Sequence, residues 1–423
     1  MMQNTPGFKI KILGSLILLV LISANSQAQT AHWFNTDAPR FRDVNSVYIR
    51  SASELVAIGG RFRNDSISSI FISKDSGGYY DFRTDFVGNM LNDVWFKDIK
   101  TGFAVGRNGH FVKTVDSGKN WNNLDIAGYD GIHFNAVTFS GTDTGWIAGG
   151  VDAGNRAIIL KTTNSGSSWQ KILDSATSTI NDIYKFNSKE LWACGNAGLL
   201  YHSTNGGISW NRIYISGNSG TRDFNSINLT DKNTVYLAGG SLKDTLQTIL
   251  KSVNSGTDWT TQRDIKNYIL NSVYFYSAND GYAVGDSGTI LFTQSSGSSW
   301  SVVTLPSTIN DTRNLNDVYF SDKDNGVIGG SQGRLLHYNK SAHITALSNP
   351  EIITVISFYP NPASSSVTFN WPVESGDISI QIYSLEGSLM LKQILYTDKN
   401  VVNLNSLKAG VYLILVKNNT IYQ

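Results

Sequence analysis

Leu270 to Val303 reads LNSVYF, YSAND, GYAVG, DSG, TILFT, QSSGSSW, SVV. Four short runs rich in β-branched and aromatic residues alternate with turn residues, which is the pattern of a small antiparallel sheet. Such a sheet cannot bury both faces alone. The stretch is one copy of a repeat, because an Asn at the start of the first run recurs at Asn45, Asn92, Asn135, Asn181, Asn225, Asn271 and Asn316. The intervals are 47, 43, 46, 44, 46 and 45 residues.

A period near 45 residues with four strands per unit is that of a propeller blade, whose faces are buried by neighbours around an axis. The expected fold is all-β: a seven-bladed β-propeller followed by a small C-terminal β-sandwich. The seventh unit, Leu315 to Tyr338, holds only three strand candidates (LNDVYF, NGVIGG, RLLHY). Its missing strand is expected from the N-terminal stretch His32 to Thr36, where Trp33 precedes polar residues as Trp121 precedes Asn122 and Asn123. Pairing the chain ends in one blade closes the ring and removes exposed sheet edges.

Between the third and fourth strands stands an octapeptide, S/T-x-D/N-x-G-x-x-W. It spans Thr114 to Trp121, Thr162 to Trp169, Ser203 to Trp210 and Ser252 to Trp259, with Tyr80 closing the copy at Ser73 and Ser295 replacing the acid in the copy at Thr293. The motif resembles the Asp-box, or bacterial neuraminidase repeat. In it Asp75, Asp116, Asn164, Asn205 and Asn254 cap turn amides, Gly takes the positive φ, and Trp121, Trp169, Trp210, Trp259 and Trp300 pin the hairpin. These residues are read as structural. Together with the GYAVG-type strands they also make Val44 to Tyr338 resemble the seven-bladed photosystem II assembly factors, which speaks to fold and not to function.

The closing aromatics are separated by 41, 48, 41, 49 and 41 residues, so long and short units alternate. Units one, three and five are longer between their second and third strands, at Arg61 to Ser68, Val151 to Arg156 and Ser241 to Gln247. In a four-stranded meander these loops share a rim with the blade-to-blade connections, opposite the box turns. Binding is expected on this variable rim, with Arg61, Arg63, Tyr129, Asp130, His133, Asp152, Arg156, Arg222, Lys243 and Arg313 as candidates.

The domains are read as a signal peptide (1–28), the propeller (30–339), a linker (340–355) and a C-terminal β-sandwich (356–423). Lys9 and Lys11 precede an apolar run, Ile12 to Ile22, and a small-residue site ending at Ala28, the layout of a cleaved secretory signal. No other segment reads as a membrane anchor. Cys194, the single cysteine, holds a place that Val105, Ala148, Ala238 and Val284 hold elsewhere and is read as a buried small hydrophobe.

At the other end Tyr359-Pro360-Asn361-Pro362, the hairpin through Gly387, and Leu404 to Val416 with Gly410 and Tyr412 resemble the type A sorting domain of the type IX secretion system of Bacteroidota. That resemblance implies a partnership with the type IX machinery and passage through the periplasm to the outer surface or the medium.

Lys plus Arg (34) balances Asp plus Glu (33), so nothing global favours nucleic acid. No cofactor or metal is expected, since the histidines fall in no ligand spacing. Glu54 and Glu190, the two Glu residues of the propeller, fall in turns on the box rim, away from any central Tyr. Asp93, Asp182 and Asp317 follow the repeated Asn and could ring the channel mouth, but blades two, four and seven are expected to hold them too far apart for an acid and base pair, and they are read as hydrogen-bonding neighbouring turns. The reading is a secreted or surface-displayed, non-catalytic binding module for an unidentified glycan, peptide or surface protein. A glycoside hydrolase of sialidase or xyloglucanase type, and a structural or adhesive protein, are the alternatives.

Overall fold

The chain folds into two units, residues 27–343 and residues 1–26 with 344–423. The computed structural model describes residues 33–339 apart from 39–41, 62–66, 88, 152–155, 176, 217–221, 242, 307–308 and 310. Outside that span it describes residues 17–19, 357–359, 365–370, 378–384, 389–395, 400–408 and 411–418.

The larger unit contains seven four-stranded antiparallel sheets. Blade 1 is built of Asp43–Ile49, Leu55–Arg61, Ile67–Ser73 and Asp81–Val87, and blade 6 of Leu270–Phe275, Gly281–Gly285, Thr289–Thr293 and Ser301–Val302. In blade 7, Leu315–Asp322, Asn325–Gly330 and Leu335–Asn339 are joined by Trp33–Asn35, with Trp33 opposite Tyr338 and Asn35 opposite Leu336. The N-terminal strand therefore closes the ring.

Hydrophobic burial is organised between blades. Seven core clusters straddle the seven interfaces. One joins Ile58 and Ile70 of blade 1 to Val94, Phe96 and Trp121 of blade 2, and another joins Val44 and Tyr80 of blade 1 to Val327 and Leu335 of blade 7. A blade removed from the ring would expose two such cores, so the ring is stable only as a whole. Trp33 packs edge-on against Tyr282 of blade 6, with ring centres 5.8 Å apart. It fills in blade 7 the place that the box Trp fills in other blades, as Trp169 does against Phe111 at 5.5 Å.

All seven repeated Asn residues sit in a β-bulge, as the register shifts between Val44 and Ser46, Leu91 and Asp93, and likewise in blades 3 to 7. A bulge re-aims its extra side chain, and here it turns the amide toward the next blade. Each Nδ2 donates to a backbone carbonyl there: Asn45 to Leu91 (2.7 Å), Asn92 to Phe134, Asn135 to Ile180, Asn181 to Phe224, Asn225 to Leu270, Asn271 to Leu315, and Asn316 back to Val44 (2.9 Å). The amide ring is complete and structural.

Blade heights alternate. The fourth strands of blades 1, 3 and 5 run Asp81–Val87, Gln170–Ser175 and Thr260–Lys266, whereas those of blades 2, 4 and 6 are the two-residue pairs Asn122–Asn123, Asn211–Arg212 and Ser301–Val302. The longer connections lengthen the strands on both sides of them, so three blades stand tall on one rim.

In the smaller unit, a three-stranded sheet (Ser357–Tyr359, Ser366–Asn370, Val401–Asn403) and a four-stranded sheet share one core. Val367, Phe369 and Val402 of the first meet Ile380, Ile382, Tyr412 and Ile414 of the second. Ile17–Leu19 lies parallel to Val411–Asn418 at the edge of the larger sheet. Pro360, Asn361, Pro362, Gly387, Gly410 and the 340–355 linker lie outside the described residues, as does the side chain of Tyr359. Among the described residues no helix is long and apolar enough to cross a membrane.

Candidate functional site

The innermost strands enclose a channel cavity of about 240 Å³. Its layers follow from strand register: below each bulged Asn comes Ser46, Asp93, Ala136, Asp182, Ser226, Ser272 or Asp317. Two residues on, a collar is formed by Tyr48, Trp95, Thr138, Tyr184, Asn228, Tyr274 and Tyr319. Tyr319 is the centre of the collar's packing, with ring centres 4.9 Å from Tyr48 and 5.0 Å from Tyr274. Lys185 closes this end, its Nζ 5.5 Å from the Trp95 ring centre, and burial lowers its pKa.

The three carboxylates all line this one cavity. Burial, followed by the charges of Asp317 and Asp182, pushes Asp93 up to about 8. Asp182 is pushed up to about 6 by burial and by Asp317, and burial raises Asp317 as well. Charges on different blades thus sense one another across the channel.

Each carboxylate is nevertheless committed to a neighbour. Asp93 accepts from the Val137 amide (2.7 Å) and from Ser46 Oγ (2.9 Å). Asp182 accepts from the Ile227 amide (2.9 Å). Asp317 accepts from the Val47 amide (2.9 Å) and Ser272 Oγ (3.0 Å). In blades 5 and 6 the hydroxyls of Ser226 and Ser272 take the same place, accepting from the amides of Val273 and Val318.

On the box rim, the box hydroxyl and the Asp or Asn bind the turn from within. Gly118 N donates to Thr114 Oγ1 (2.9 Å) and Asn120 N to Asp116 Oδ1 (2.9 Å), and Ser295 Oγ replaces the acid by accepting from Ser299 N (3.0 Å). Two successive residues take positive φ, for example Ser165 (56°) and Gly166 (78°). The Ser is held by donating Oγ to the Thr142 carbonyl. Glu54 and Glu190 lie on this rim, paired with Arg50 (3.3 Å) and His202 (2.8 Å).

Among the described residues of the variable rim, the predicted ones do not converge. Arg156 forms a two-pronged pair with Asp174 (2.9 Å each), which Lys171 also joins, and these bonds hold the Asp174 carboxyl below its usual range. Arg222 pairs with Asp264 (2.6 Å), and Arg313 with Asp311 (2.7 Å) and with Asp37 (3.1 Å) beyond the closing strand. Tyr129 packs on Phe134, while Asp130 and Lys243 are exposed. Arg63, Asp152 and the Arg61 side chain lie outside the described residues.

His133 has an unforeseen part. Its Nδ1 accepts from the Asn108 amide (3.2 Å), a positive-φ residue of the blade 2 turn. Asp223, Asn314 and Asp43 do the same for Ala197, Ser287 and Gln332, the corresponding turn residues of blades 4, 6 and 7. The residue that opens one blade thus caps the short turn of the blade before it. Sequence reasoning also passed over a groove of about 370 Å³ beside Tyr268, where tall blade 5 steps down to blade 6. Tyr268 is outside the repeat pattern, so no spacing pointed to it.

A ring of seven sheets, stapled by bulge amides and carrying recurrent hydrogen-bonded turns on one rim, defines a seven-bladed propeller. Residues 82–178 match the model of the photosynthesis system II assembly factor YCF48, and residues 357–423 match that of the secretion system C-terminal sorting domain. The chain joins a propeller that is similar to YCF48 over residues 82–178 to a secretion-system sorting domain.

Among solved structures, YCF48 bound to D1 peptide is similar with a TM-score of 0.59 at 17% identity, over 73% of this chain and 97% of that one. YCF48 from Cyanidioschyzon merolae gives 0.56 at 15% identity, over 73% and 98%. PorZ, a surface component of the type IX secretion system of Porphyromonas gingivalis, gives 0.53 at 13% identity, over 91% of this chain and 58% of that one. At these identities the likeness concerns the fold. No curated protein sequence matches the chain. The sorting domain implies export to the cell surface or the medium by the type IX machinery.

Proposed function

We propose that the protein is exported behind its N-terminal signal and acts outside the outer membrane as a non-catalytic binding module, its variable rim receiving a glycan, a peptide or a surface protein. The observation that carries this reading is the state of the channel carboxylates. Both oxygens of Asp93 accept hydrogen bonds from adjoining blades, and Asp182 and Asp317 accept backbone amides in the same way. Groups committed to holding blades together are poorly placed to move protons. The two Glu residues are equally committed, on the opposite rim.

A second reading, a glycoside hydrolase, is favoured by one fact: carboxyls whose pKa values are pushed apart, Asp93 to about 8 and Asp182 to about 6, are the raw material of an acid and base pair. The test is to pass the full chain over immobilised polysaccharides and sialoglycans and record retention and released sugar together. Retention without release is expected. Sugar release that disappears in Asp182→Asn would replace the binding reading with the hydrolase.

A further inference from the structure

The step from a tall to a short blade occurs three times, and the three notches differ at two matching positions. Counting back from the bulged Asn of the short blade, Asn89, Ser178 and Tyr268 occupy the same place. Opening its short turn stand Arg107, Asn196 and Asp286. The third notch alone sets an aromatic ring beside a carboxylate.

Tyr268 is 56% exposed, yet its loop is fixed. Asn267 N donates to the Thr245 carbonyl (2.8 Å), Gln247 Nε2 to the Tyr268 carbonyl (2.8 Å), and Tyr268 N to Asn267 Oδ1 (2.9 Å). Across the groove Asp286 is held by its amide on the Ile269 carbonyl (3.0 Å) and by Asn271 Nδ2 on Oδ1 (2.9 Å). A large aromatic surface that stays exposed on an ordered loop offers contact area at little entropic cost. It contrasts with Arg156, Arg222 and Arg313 of this rim, which are all paired with carboxylates.

From this geometry we infer that the groove lined by Thr245, Lys266, Asn267, Tyr268, Ile269 and Asp286 is a binding site for a neutral glycan, one sugar ring stacking on Tyr268. The inference rests on the binding-module reading and gives it a place and a ligand class. The volume of about 370 Å³ falls at the small end of ligand sites, which run from roughly 300 to 1,000 Å³. Lys266 and Asp286 carry opposite charges in one groove, so neither an anionic nor a cationic ligand gains a net attraction there. A sugar needs no such attraction: its apolar face suits the tyrosine ring, and its hydroxyls can pair with carboxylate, amide, ammonium and hydroxyl alike.

The experiment is calorimetric titration of the full chain with cellohexaose, xylohexaose, mannohexaose and laminarihexaose, with sialyllactose and a polygalacturonate oligomer as charged counterparts. At least one neutral hexasaccharide is expected to bind. Its Kd should rise tenfold or more in Tyr268→Ser, which copies the second notch, and stay within about threefold in Tyr268→Phe, which keeps the ring. Neutral binding that is indifferent to Tyr268→Ser overturns the assignment of the groove but leaves the binding module standing. Binding of the charged sugars alone overturns the neutral-ligand inference, as does binding of none of the six. Hydrolysis of any of them overturns the reading beneath it.

Discussion

Each bulged asparagine holds one backbone carbonyl of the next blade. A buried carbonyl that loses its donor costs about 1–3 kcal/mol, so Asn225→Ala, which strips the Leu270 carbonyl, should lower stability by about that amount in urea unfolding. Two titrating residues have opposite signs. Asp93 has its pKa raised to about 8, so its protonated form favours the fold: that contribution is full below pH 4 and is lost as pH rises through 8. Asp93→Asn should flatten the fall in melting temperature between pH 4 and 8. His337 is buried against Phe34 and Gly77, and burial lowers its pKa to about 3. Its contribution is full above pH 6.5 and is lost as pH falls toward 3, so His337→Phe, which copies Phe292 at the matching place in blade 6, should flatten that acid limb. The period in Asn was legible in the chain because a bulge accepts few alternatives there. The mutual influence of Asp93, Asp182 and Asp317 was not, because it depends on how narrow the channel is.

At the scale of turns and strands, the short blades repeat a two-residue left-handed turn, and one copy puts Ala197 at φ 54°. An L-residue costs about 1–2 kcal/mol there and glycine recovers part of it, so Ala197→Gly should stabilise the chain by roughly 0.5–1 kcal/mol in thermal unfolding. Trp33→Ala empties the blade 6 to blade 7 core and should cost about 3–5 kcal/mol. The box turns and the closing strand were readable because their residues lie within one octapeptide or copy a neighbouring one. The caps on the short turns escaped notice, His133 among them: donor and acceptor lie on different blades, and in the case of Gln332 and Asp43 at opposite ends of the propeller. A histidine on a loop rim reads as a ligand contact until the amide it serves is seen.

For the molecule as a whole, closure rests on the pairing of Trp33–Asn35 with Leu335–Asn339 and on the Arg334 guanidinium, which binds Asn35 (3.1 Å) and Asp311 (3.1 Å). Removing residues 33–38 from the full chain should expose Leu335–Asn339 as a sheet edge. Limited proteolysis is then expected to cut first in blade 7, and the thermal unfolding of the propeller to shift to lower temperature and broaden.

The alternation of blade heights has one more effect. A strict up-and-down pattern cannot be completed on an odd-numbered circle: blades 1, 3 and 5 rise, and 6 and 7 are left side by side without a crest between them. The rim is a crown with three points and one wide gap, which abolishes rotational ambiguity. Any rigid partner seated across that crown can engage it in a single angular setting, as a key engages an asymmetric lock.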